Sequence, residues 1–114
     1  DIQNIIDEII DRFGNMPGEL ENLIDIARIK YLAKEQNISK IMSKRTAVVF
    51  TFEQSKLEID IAKLVNQYGT KIKFSAGIKP MITLEIGSNN ERQILNDVTD
   101  FLKILKNLKV QEEI

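Results

Sequence analysis

The hydrophobic spacing of this chain switches repeatedly between a helical and a strand period, and the order of those switches leaves few architectures open. Ile2, Ile5, Ile6, Ile9, Ile10 and Phe13 recur at three and four residue intervals, which predicts an amphipathic helix over residues 2–13 ended by Gly14 in a left-handed cap. Residues 14–18 read as a turn. Pro17 suits the first turn of the helix that follows, where a missing amide hydrogen has no partner to lose. That second helix runs to about Gln36, with Leu20, Leu23, Ile24, Ala27 and Tyr31 along one face. Ile26, Ile29 and Ala33 widen the apolar stripe, so this helix is expected to be the central, most buried element.

After Asn37 the runs shorten and become richer in β-branched and aromatic residues, predicting strands over 38–42 and 46–52 joined at Lys44-Arg45. Asp60 is placed to cap a short helix carrying Ile61, Leu64, Val65 and Tyr68, which Gly69 ends. Residues 71–75 and 81–86 alternate as a second strand pair around a turn at 76–80. Ser88 and Glu91 have the spacing of a capping box before a last helix striped by Ile94, Leu95, Val98, Phe101, Leu102, Leu105 and Leu108. Lys103, Lys106 and Lys109 then suit the negative pole of that helix. Strands joined by tight hairpins are antiparallel neighbours, so the expected fold is α+β: a small antiparallel β-sheet of about four strands packed with four α-helices. With 114 residues and no repeat or linker, residues 1–114 are read as a single domain. The chain has no initiator Met and opens directly in helical periodicity, which predicts a regulatory piece excised from a larger protein.

Composition narrows the chemistry. The sequence holds no His and no Cys, so the usual zinc ligands, the thiol nucleophile and the imidazole base are all missing. Hydroxyls such as Ser39, Ser43, Ser55, Thr70 and Ser75 therefore lack a base partner, and no catalytic residue, metal or cofactor is expected. Without cysteines there is no disulfide framework, and no apolar run approaches a membrane span. A cytoplasmic location with no membrane contact is the expectation.

Charge is nearly balanced at -1, without the excess of cations that marks a dedicated nucleic-acid binder. Its distribution is uneven: Asp1, Asp7, Glu8, Asp11, Glu19, Glu21 and Asp25 face a single base, Arg12, in the first 25 residues. Asp7, Glu8 and Asp11 sit near the carboxy end of the first predicted helix, where like-charge pairs cost about 0.2–0.5 kcal/mol each and the dipole adds a comparable amount. A solvated face and an Arg-binding contact surface both account for the cluster. Paired-carboxylate catalysis does not, because a convex helix offers no pocket to split two pKa values. Arg28, Lys30, Lys34, Lys40, Lys44 and Arg45 form the most basic region, near Tyr31, Phe50 and Phe52. Those aromatics fall on core-facing positions and the cations are scattered, which favours packing over nucleic-acid contact. The Gly14–Gly18 turn follows a helix and carries no Lys-Ser/Thr, so it is no phosphate loop.

The run Asp11-Arg12-Phe13-Gly14-Asn15-Met16-Pro17, followed by Leu23-Ile24-Asp25-Ile26-Ala27-Arg28 and Asn37-Ile38-Ser39-Lys40-Ile41, resembles the carboxy-terminal domain of the bacterial transcription-repair coupling factors (Mfd). The likeness continues by order and spacing to about Leu108. In that family the complete protein is an ATP-dependent DNA translocase, with its ATPase in other domains, that removes stalled RNA polymerase and recruits UvrA for nucleotide excision repair. The resemblance implies that this domain is not an enzyme but an autoinhibitory clamp, docking on the amino-terminal UvrA-binding region of the same polypeptide and masking it. It implies no direct contact with nucleic acid; DNA, RNA polymerase and UvrA are contacted by the parent. The family's acidic contact positions match Glu8 and Asp11, with Asp7 and Arg12 beside them. The loop before the second strand is shorter and less Gly-rich than in the family, so no contact is carried over from it. Two other classes stand beside this one: a regulatory module binding a small ligand on its sheet, and a DNA-contacting accessory domain.

Overall fold

The structure is a computed structural model that describes residues 18–54 and 57–109. Helix α1 spans Gly18–Glu35, strands β1 and β2 span Ile38–Lys44 and Ala47–Phe52, and a short helix α2 spans Ile61–Tyr68. Strands β3 (Ile72–Ser75) and β4 (Met81–Glu85) then lead into the long helix α3, Glu91–Asn107. All pairings are antiparallel and the sheet order is β1-β2-β4-β3, so the two hairpins join through their second strands. The α+β class and the four strands agree with the sequence reading. Three α-helices lie among the described residues rather than four; the helix expected over 2–13 lies outside them.

Period-two alternation makes the sheet one-sided. Val48, Phe50, Phe52, Ile82 and Leu84 point to the helices and are buried, while Val49, Thr51, Thr83 and Glu85 between them face the other way. Helix α3 supplies the facing layer with Leu95, Val98, Phe101, Leu102 and Leu105, all on one stripe. Phe101 is the hub. Its ring centroid lies 4.7 Å from that of Phe50 and 5.4 Å from that of Tyr68, tilted and edge-on respectively. Leu64 from α2 and Ile29 and Ala33 from α1 complete a single core.

The central place expected for α1 belongs instead to α3. Leu23 and Tyr31, read as core residues, are 62% and 50% exposed, because α1 lies at the β1 margin of the sheet and presents only part of its circumference to the core. Its apolar residues are spread around the helix, so spacing alone did not identify the buried side.

The caps follow local chemistry. Asp60 accepts from the Lys63 amide at 3.2 Å to start α2, and Gly69, at φ 59°, ends it with its N–H donating to the Val65 carbonyl. For α3 the cap is Asn90, whose side-chain oxygen accepts from the Gln93 amide at 3.1 Å. The expected capping box is therefore corrected: Ser88 lies two residues too early and accepts instead from the Asn90 amide at 3.0 Å. The β1-β2 connection is Arg45-Thr46, one residue later than expected, with Arg45 at φ 56°. Thr46 holds the sheet end together: its carbonyl accepts from Ile86 and Gly87 amides at 2.9 and 3.2 Å, and its hydroxyl meets the Glu85 carboxylate.

Candidate functional site

Of the residues singled out for a docking role, Asp7, Glu8, Asp11 and Arg12 lie outside the described residues. The structure does show what becomes of the acidic stretch once it enters α1. Asp25 is engaged within the chain: Arg28 lies 3.5 Å away, and Arg92 of α3 donates to both the Asp25 carboxylate and the Asn22 side-chain oxygen. The bond to Asp25 raises the Arg92 pKa further above its ordinary value. Further along, Lys106 of α3 reaches Glu35 at 3.6 Å. Because 25 pairs with 92 and 35 with 106, α1 and α3 run side by side in the same direction, fixed near both ends. Asp25 therefore serves as an internal clasp, whereas Glu21 stays exposed.

The basic region is dispersed by folding. Arg28 serves Asp25, and Lys44 and Arg45 sit at the β1-β2 turn. Phe50 and Phe52 are buried and present no ring for stacking on a base, whereas Tyr31, the third aromatic placed in the core, is half exposed. Lys30 and Lys34 of α1, in contrast, line one groove of about 830 Å³ between α1, β1 and α3, with Lys40 at its β1 edge. Its floor is apolar, formed by Ile29, Ala33, Ile41, Leu95 and Val98. Sequence reasoning missed this groove because each of those residues is aliphatic within a predicted helix or strand and reads as core. The signal that could have found it is the repetition of Lys30 and Lys34 four apart beside Ile26 and Ile29, followed by Lys40 on the next element.

Among the described residues the groove carries one carboxylate, Glu53, which Lys79 meets at 3.4 Å. Its pKa is lowered, first by a hydrogen bond from Ser39 and then by Lys79. A second, smaller recess beside Tyr68 includes Asp97 and Asp100. Burial, with those two carboxylates, pushes the Tyr68 phenol up to about 12. Among the described residues no cluster of three or more metal-ligating side chains occurs, and no helix is long and apolar enough to cross a membrane. Among the described residues, the geometry comprises an apolar groove with lysines along its rim and a sheet face with no helix packed over it.

The TRCF domain family model matches residues 1–64, more than half of the chain. The transcription-repair-coupling factor of Bacillus subtilis (strain 168) is 37% identical over 110 residues, which is 92% of this chain and 9% of that protein. Its counterpart in Rickettsia prowazekii (strain Madrid E) is 31% identical over 103 residues, 90% of this chain and again 9% of the relative. The chain thus spans about a tenth of the length of the curated relatives it matches. A crystal structure of the C-terminal domain of a transcription-repair coupling factor superposes with a TM-score of 0.74 at 18% identity, covering 95% of this chain and 70% of that one. The chain therefore belongs to the TRCF domain family of transcription-repair coupling factors and has the fold of their carboxy-terminal domain.

Proposed function

We propose that this domain is the autoinhibitory clamp of a transcription-repair coupling factor, docking on the amino-terminal UvrA-binding region of its own polypeptide and masking it. The observation that carries the reading is the match to a coupling factor along 92% of the chain, against only 9% of the relative's length. A domain of that proportion, with no His or Cys for acid-base or thiol chemistry, fits an interaction role within a larger machine. In this reading the parent protein couples ATP hydrolysis in other domains to movement on DNA in the cytoplasm, displaces stalled RNA polymerase and recruits UvrA.

Glu8 and Asp11 supply the negative contact, with Asp7 adding to its field and Arg12 moderating it. A few carboxylates against Arg form a weak, salt-sensitive link, about 1–3 kcal/mol, which suits a latch that must open. Asp25 does not join them, since Arg28 and Arg92 already occupy it.

Mixing this chain with the amino-terminal region of its parent tests the dock: calorimetry should detect binding at low ionic strength that fades as salt is raised. In the whole protein, Glu8→Lys with Asp11→Lys should raise UvrA affinity roughly 5- to 150-fold, the span expected from a coupling of that size. UvrA affinity unchanged by the double reversal would reject the latch.

A further inference from the structure

The groove borders the open edge of β1, and the hydrogen-bond pattern says which backbone groups face it. The Glu53 amide donates to the Asn37 carbonyl and the Phe52 amide donates to the Pro80 carbonyl, each at 2.9 Å. Odd-numbered residues of β2 therefore turn their backbone toward β1 and even-numbered ones toward β4. Lys40, Met42 and Lys44, opposite Thr51, Val49 and Ala47, take the ladder bonds. Ile41 and Ser43, opposite Phe50 and Val48, consequently direct N–H and C=O away from the sheet, into the open edge. These same two residues put their side chains into the groove whose far wall is α1. No strand among the described residues lies beyond β1.

An exposed strand edge with a helix standing alongside, separated by an apolar trough, is the geometry that captures an extended peptide as an added strand. We propose that β1 accepts such a peptide as a fifth strand, and that the peptide alternates apolar and acidic residues. Apolar side chains enter the groove over Ile29, Ala33 and Leu95. The alternate side chains emerge on the uncovered sheet face beside Lys40 and Lys44, where cross-strand pairing favours carboxylates. Lys30 and Lys34 line the helix wall and add to the same preference. Glu53, the one acid in the lining among the described residues, is held by Lys79 and does not oppose it. The main chain at Ile41 and Ser43 requires an extended occupant, and the four lysines require an acidic one. The proposal draws on β1, α1 and α3 alone and makes no use of Glu8 or Asp11, so its test is separate from that of the latch.

The probe is the acetylated, amidated peptide Glu-Val-Glu-Ile-Glu-Val-Glu, titrated into the full chain and followed by amide resonances. Binding should shift the Ile41 and Ser43 amides and slow their exchange with solvent. A peptide with Lys in place of every Glu should bind at least about tenfold more weakly. Ser43→Pro removes an edge donor that makes no ladder bond, so the fold should persist while affinity falls about tenfold or more. Lys30→Glu with Lys34→Glu, both on the surface of α1, should weaken binding while leaving the circular dichroism unchanged. The proposal is overturned by any of four results: no binding up to about 1 mM peptide, equal binding of the Lys peptide, binding indifferent to Ser43→Pro in a folded variant, or a preference for the same residues rearranged into a helical repeat.

Discussion

Phe101 is where the inner sheet face, the short helix and the long final helix converge, and its ring is fully enclosed. Truncation to Ala removes the hub and leaves a cavity that Phe50 and Tyr68 cannot jointly fill, so Phe101→Ala should cost about 3–5 kcal/mol in a urea unfolding titration. Leu23→Ala, at an exposed position, should change the same measurement by no more than about 0.5 kcal/mol. Both residues sit on apolar helical stripes in the sequence, and only the packing separates them. Tyr68 tests another residue-scale consequence. Its phenol is held near 12 against an ordinary 10, so the folded state retains a proton that the unfolded chain releases. That contribution is complete below pH 10 and is lost as pH rises through 12. With two tyrosines and no tryptophan, an ultraviolet absorbance titration isolates the late ionisation, and Tyr68→Phe should abolish it.

At the scale of elements, most of the order was legible because caps and periods act locally. Asp60 and Gly69 bound α2 as their chemistry dictates, and both strand pairs fall within two residues of where alternation placed them. The start of α3 was misread by a competition between two side chains. Ser88 and Asn90 both suit a cap, and the one nearer the first helical turn took it, leaving Ser88 to brace Asn90 from outside. Asn90→Ala should therefore destabilise by about 1 kcal/mol, and Ser88→Ala by less, in matched thermal melts. The relative burial of α1 and α3 was not legible, since it depends on which helix lies across the middle of the sheet. That is decided by hairpin joining through β2 and β4, a long-range pairing with no local trace. The groove escaped notice for the same reason, being the gap that an off-centre α1 leaves beside β1. The acidic cluster at Glu8 and Asp11 was legible only as charge on a predicted helix.

At the scale of the whole molecule, the sheet packs one face against the helices and, among the described residues, carries none on the other, and the chain's net charge of -1 gives no broad attraction for phosphate backbones. Fluorescence anisotropy with duplex DNA should accordingly show no salt-dependent affinity for the isolated chain at micromolar concentrations; such binding would favour the DNA-contacting alternative. An unpaired outer strand ordinarily invites a second copy of itself. Lys40 and Lys44 of β1 bear on that hazard. If two molecules approached strand to strand in the antiparallel register centred on Met42, Lys40 of each would stand opposite Lys44 of the other, ammonium against ammonium. That register of self-pairing is therefore disfavoured by charge, while an acidic strand laid along the same edge meets no such repulsion.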